Sequence, residues 1–300
     1  MGQGPFTLTA LIRAASRYTT QGLVLIGIDA PLGAPRTLLA ATHRALGVSS
    51  TSTFIEWLRK AAIWPDFFSR AVEGEPWSPL RPFFRVSAGA GSLGGVFGNM
   101  RALGVEPLRI VDDRTGAKSP FILSGIPGSV GSSVANLWPA LAGIVANHPG
   151  AVRVWPFDQR EPESGGAGVV LAEMYPRALY ALALSETAMP GPGRMKLAKT
   201  DPRCRHAAVA RLMGQRWVRD FGVRFEDAEP ETMTEDSFDA FVSAAALLRC
   251  VLEGTPLGWS DADAFEGGIL GLDSLDLTLP ERTFRYAPPR PRRPRERRRQ

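Results

Sequence analysis

Two periods of hydrophobic spacing run through this chain. Leu8, Leu11, Ile12 and Ala15 recur at helical spacing behind Thr7, so a short capped amphipathic helix is predicted at the start. Residues 23–28 (LVLIGI) are continuously apolar and bounded by Gly22 and Asp29. Such a run reads as a strand buried on both faces of a parallel sheet. A helix is predicted over 35–46, with Pro35 in its first turn. Further helices are predicted around Phe54, Trp57 and Leu58, over 137–145, from Asp201-Pro202 onward, and from about Asp236. In the last of these, Phe238, Phe241, Val242, Ala245, Leu248 and Leu252 keep one apolar face. Residues 152–155 and 169–174 are strand candidates. Strands alternating with helices define an α/β class.

Residues 48–118 break this rhythm. Trp64-Pro65, Pro76-Trp77 and Pro82-Phe83-Phe84 are separated by charges, and a glycine-rich stretch follows at 88–99. An insertion rich in aromatics, glycine and proline is expected, either covering a cleft or forming a loop-rich satellite of the core. From Pro288 the proline and arginine content forbids a packed core, so residues 282–300 are expected to be a disordered tail. Residues 1–281 are then a single domain.

Composition changes the picture in one respect. The 300 residues are 44% hydrophobic and 22% charged, as in ordinary globular proteins. The net charge is +5, but residues 282–300 hold nine arginines against one acid, a balance of +8. Taking 8 from 5 leaves −3 for residues 1–281, so the folded body is mildly acidic and not a basic coat for nucleic acid. The tail itself could contact nucleic-acid phosphates, with steep salt dependence, or be a solvated extension. Arginine outnumbers lysine 31 to 4, which points to coding bias rather than function. No bilayer-spanning run or secretory pattern is visible, and Cys204 and Cys250 lie far apart, so a cytoplasmic location is expected.

Candidate chemistry rests on carboxylates. Asp29 follows a buried strand, where ligands of open α/β sheets bind; it also fits a turn that accepts backbone N–H groups. Glu173 stands inside an apolar strand, where a charge must be paired or metal-bound, and Arg177 is one possible partner. Asp236 and Asp239 share a helix face, as metal ligands or as cap and first-turn residues. Together these acids suit a hard Mg²⁺ or Mn²⁺ ion and phosphodiester hydrolysis. Gly125, Gly128 and Gly131, with Ser129, form a loop able to hold an anion or to serve as a connector, and Lys118 lies just upstream. His43, His148 and His206 have no zinc-ligand spacing, and no GxSxG elbow is present.

Short motifs then occur in a recognisable order: GIDAPLG (27–33), KSPF (118–121) with the glycine loop, VWPF (154–157), VLAEMYPR (170–177), DSFDAFVSA (236–244) and EGGIL (266–270). Over residues 6–272 the chain resembles the family known as domain of unknown function 429, described as predicted nucleases of RNase H-like fold. The resemblance implies an RNase H-like mixed sheet with flanking helices and a metal-dependent nuclease acting on nucleic acid. Asp29, Glu173 and Asp239 would be its catalytic, metal-binding carboxylates and Asp236 an auxiliary ligand. Lys118, Arg177, Gly128 and Ser129 would contact phosphate or ligand. Such folds begin with a strand carrying an aspartate, whereas a helix comes first here. The resemblance therefore implies a domain lacking its first strands, and an inactive binding module as the alternative to an enzyme. Gly268 stands where the family pattern has tryptophan.

Overall fold

Two six-residue strands, the apolar run LVLIGI and the run GVVLAE that ends in an acid, build most of the main sheet. The computed structural model describes residues 7–47, 51, 53–71, 75–86, 93–124, 129–164, 166–186, 191–226, 229 and 232–286. Its first half contains α1 (Leu8–Ala15), β1 (Leu23–Ile28), α2 (Arg36–Leu46), α3 (Phe54–Ala61), β2 (Phe84–Arg85), α4 (Leu93–Ala102), α5 (Ile110–Thr115), β3 (Ile122–Ser124) and α6 (Gly131–Asn147). The second half contains β4 (Val152–Val154), β5 (Gly168–Glu173), α7 (Pro176–Leu184), β6 (Met195–Lys196), α8 (Pro202–Met213), α9 (Arg216–Asp220), α10 (Glu235–Glu253) and β7 (Arg282–Thr283). Most predicted helices and strands are found. Residues 282–286, expected as the start of a disordered tail, are instead ordered, because β7 pairs with β6 and Phe284 is buried; residues 287–300 lie outside the described residues.

The main sheet has the order β1-β5-β4, with both pairings parallel. The other two sheets, β2 with β3 and β6 with β7, are also parallel. The antiparallel strand pairs of a mixed sheet are not found among the described residues. The central strand is β5, buried at every position. β1 is half-buried throughout, an edge rather than a core strand, because it pairs only with β5 among the described residues.

Side-chain alternation gives the sheet two separate cores. Val169 and Leu171 of β5 face one, with α3, α6 and β4, while Val170 and Ala172 face the other, with α7, α8 and α10. This is a mixed α/β sandwich with helices on both faces.

The segment 48–118 supplies much of the first core. Phe54, Trp57, Phe67 and Phe83 have no solvent contact. Their rings meet Trp138 of α6 and one another at 5.1–6.3 Å between centroids. A separate satellite does not result, because these aromatics are too large and apolar to stay out of the core. Trp57 donates its indole N–H to Thr42 at 3.0 Å, and Trp138 donates to the Pro31 carbonyl at 2.9 Å. The second bond ties the core to the loop that follows β1.

That loop is fixed from the other side by the segment after α10. Gly267 has φ +79, and a Cβ there would stand 2.3 Å from the Leu32 carbonyl oxygen. Ile269 continues the sheet by a parallel bridge to Glu173. At Gly268 a side chain would collide with Ala262 and the Trp155 ring, so the family's tryptophan has no room here. Among the described residues no helix is long and apolar enough to cross a membrane. Gly267→Ala should destabilise the chain by about 2 kcal/mol or more, since both conformation and space oppose it. An unchanged urea midpoint would show that residues 32 and 267 are not in contact.

Candidate functional site

The parallel register puts Asp29 and Glu173 side by side at the C-terminal ends of two strands. Ile28 pairs with Glu173, so Asp29 begins the loop leaving β1 just where β5 ends. A cavity of about 450 Å³ opens there, lined by Asp29, Glu173, Tyr175, Tyr180, Lys199 and Asp239 among others. Asp239 reaches it because α10 starts at Thr234, whose hydroxyl accepts the Ser237 N–H at 3.2 Å. The cap is thus Thr234 and not Asp236. One turn of helix directs Asp239 inward, while Asp236 is exposed in the first turn and is not among the cavity-lining residues.

The carboxylates have different partners. Tyr180 donates its hydroxyl to Oδ1 of Asp239, and the Lys199 ammonium donates to Oδ2. Burial and this bond push the Tyr180 hydroxyl well above the usual phenol range, so it stays a donor. Burial works against the Lys199 charge, but Asp239 outweighs it and raises its pKa. Asp29 is exposed as a residue, yet packed atoms crowd its carboxyl and the negative charges of Asp239, Glu173 and Asp236 add to that. Lys199 opposes these effects only in part, and the carboxyl titrates at about 6 instead of 3.8.

Glu173 is held elsewhere. Its two oxygens accept Nη1 and Nη2 of Arg109, each at 2.7 Å, and Oε2 also accepts the Leu32 N–H at 2.8 Å. Arg109 donates from Nε and Nη2 to Asp112 at 2.9 and 2.7 Å, and from Nη1 to the Glu266 carbonyl at 3.2 Å. Arg109 and Asp112 have no solvent contact. Burial opposes the guanidinium charge, but the two carboxylates outweigh it and hold the Arg109 pKa well above its ordinary value. For Glu173, burial holds the carboxyl above its ordinary value, and Arg109 and the Leu32 N–H offset this only in part.

Among the described residues no three His, Cys, Asp or Glu side chains form a metal-holding group. The donor set nevertheless fits one hard ion: Mg²⁺ usually takes one or two carboxylates and keeps its waters. Asp29 has open lone pairs, and Asp239 has them once Lys199 moves aside. Glu173 does not fit while both its oxygens are on Arg109.

Cations line the cavity too. Lys118, Lys196 and Lys199 are three of the four lysines in the chain. Arg177 also lines it, but its guanidinium makes a two-point pair with Glu281 at 2.8 and 2.6 Å rather than with Glu173. Val130 lines the cavity and Ser129 does not, while Gly128 lies outside the described residues. Gly131 opens α6 against β3, where a Cβ would stand 2.6 Å from the Ile122 carbonyl. It therefore has a packing role.

Sequence reasoning missed Arg109, Tyr180, Lys196 and Lys199. Tyr180 lies four residues beyond Pro176 on α7, and the rarity of lysine was the one signal for the lysines. No protein-family model, curated protein or solved structure matches the chain.

Two outcomes follow from this electrostatics. Arg109→Met leaves two buried carboxylates without their cation and should cost about 3–5 kcal/mol in urea unfolding. The deficit should shrink in mildly acidic buffer, where protonation removes the uncompensated charge; a pH-independent deficit would mean only lost packing. A carboxyl-carbon NMR titration should place Asp29 near 6, falling in Asp239→Asn. Because the folded pKa is raised, the folded state binds this proton more tightly. The contribution to stability is therefore present below 3.8 and lost as pH rises to 6. A value near 3.8 in the parent chain would rule out the crowding.

Proposed function

We propose that the chain is a divalent-metal-dependent phosphodiesterase acting on nucleic acid, of the RNase H-like class its motifs resemble. The observation that carries this reading is the meeting of Asp29 and Asp239 at the strand ends in a cavity lined by three of the four lysines. Asp29 and Asp239 would hold Mg²⁺ or Mn²⁺. The ion would supply positive charge to phosphate oxygens and acidify a water for attack on phosphorus. Lys118 and Lys196 bind the phosphate from the rim. Tyr180 fixes the orientation of Asp239 through its hydroxyl. Lys199 must leave Asp239 for the ion to enter, and it remains close enough to contact the substrate. Glu173 keeps the Asp29 loop in place through the Leu32 N–H and takes no ligand role. The arginines of the tail add salt-dependent affinity for the phosphate backbone.

The alternative is an RNase H-like binding module without catalysis. Its support is that Asp239 and Glu173 each already hold an internal cation, Lys199 and Arg109.

Titration calorimetry with Mn²⁺ and cleavage assays on single- and double-stranded DNA and RNA separate the two. For the enzyme, Mn²⁺ binding releases the Asp29 proton below pH 6 and so tightens as pH rises through that value. Asp29→Asn and Asp239→Asn should each weaken Mn²⁺ binding by about tenfold or more, roughly 1.4 kcal/mol, and abolish cleavage. A parent chain that binds no Mn²⁺ and cleaves nothing would sink the enzyme reading and leave the module.

A further inference from the structure

The cavity has features that phosphodiester chemistry alone does not require. Lys118 and Lys196 are exposed at its rim, and neither makes an ion pair among the described residues. Arginine is the default cation of this chain, yet three of its four lysines line this cavity beside Arg177, which is paired with Glu281. Lysine is a compact point charge, whereas arginine fixes a planar two-point geometry. The cavity lining also includes apolar side chains: Pro31, Met174, Leu197 and Ile269. Tyr175, half-buried, adds an aromatic surface. A site for bare phosphate needs no such wall. Asp29 and Asp239 repel an unaccompanied anion, which keeps a phosphate on the rim and leaves the wall to the uncharged part of the ligand. The volume, about 450 Å³, is that of a small-molecule pocket and too small to admit a base-paired duplex.

We propose that this cavity is a subsite for one unpaired nucleotide, with its phosphate on Lys118 and Lys196 and its base against Tyr175 and Met174. The nucleic acid is then taken as single strand, frayed end or extruded nucleotide, and a continuous duplex is excluded. An unpaired base offers its face to an aromatic side chain, worth about 1–3 kcal/mol. A paired base must first be taken out of the stack. The substrate assignment rests on the phosphodiesterase reading, but the binding site itself does not need catalysis.

Calorimetry in EDTA tests the site without metal. Adenosine monophosphate should bind about tenfold more tightly than inorganic phosphate, the difference being the base on the wall. Lys118→Gln/Lys196→Gln, at two exposed positions, should weaken adenosine monophosphate by about tenfold or more with the thermal midpoint unchanged. A single-stranded oligonucleotide should displace the mononucleotide, and a blunt duplex of the same length should not. Equal affinity for phosphate and mononucleotide would overturn the base-binding wall. Equal competition by the duplex would overturn the selection for unpaired nucleotides, and an unaffected double variant would remove the lysines from the site. If the phosphodiesterase reading fails, cleavage and Mn²⁺ binding are absent while these EDTA affinities persist.

Discussion

Arg109, a guanidinium without solvent contact, joins parts of the chain that share no secondary structure. It bonds Asp112 in α5, Glu173 at the end of β5 and the Glu266 carbonyl after α10. Glu173 in turn accepts the Leu32 N–H, so the loop carrying Asp29 is fixed through the same charge. A buried ion pair is weak support for net stability, because desolvation cancels much of its attraction. Here its effect is positional. Remove the guanidinium, and two carboxylates lie in the core without a cation, next to the loop they should hold. The close approach of Gly267 to Leu32 and the indole bond from Trp138 to Pro31 fix that loop from two further sides.

The same pairing shapes the field of the cavity. With Glu173 and Asp112 sharing one buried cation, their charge is offset in part, and Asp29 and Asp239 are the carboxylates that an incoming group meets. Asp239 is itself bridged by Lys199. Asp29 has no cation bonded to it among the described residues, and its pKa of about 6 comes first from burial and then from the charge of Asp239.

How far the sequence revealed this arrangement depends on the kind of signal. β1 and β5 were legible as apolar runs, and Asp29 and Glu173 as acids at their ends. Parallel pairing was legible too, but which strand is central was not, because an apolar run does not say what covers its far edge. The pair Asp236 and Asp239 was legible as a face, yet choosing the inward member required the helix start, and Thr234 rather than Asp236 supplies it. The aromatics of 54–83 were visible, and their place in the main core was not, since proline and glycine between them imitate a surface loop. Arg109 had no signal at all. It precedes a helix of six residues; Asp112, three positions on, is its one near partner, and the other two stand 64 and 157 positions away in the chain. Lysine rarity was legible as composition and became informative only when the fold gathered three lysines at one cavity.

Charge in and around that cavity separates into two groups. Arg109 with Asp112 and Glu173, and Lys199 with Asp239, are paired and hold the walls. Asp29 on one side and Lys118 and Lys196 on the other keep their charges for something outside the chain. A lone anion would be repelled by the first, and a lone metal cation by the other two. A phosphate ester accompanied by a divalent ion satisfies both, with the ion toward Asp29 and the phosphate toward the lysines. The net charge of the whole protein conceals this, because the nine arginines of residues 282–300 dominate the sum. In the proposed reading, the local arrangement within the acidic body, not the net charge, would favour a ligand that carries both signs.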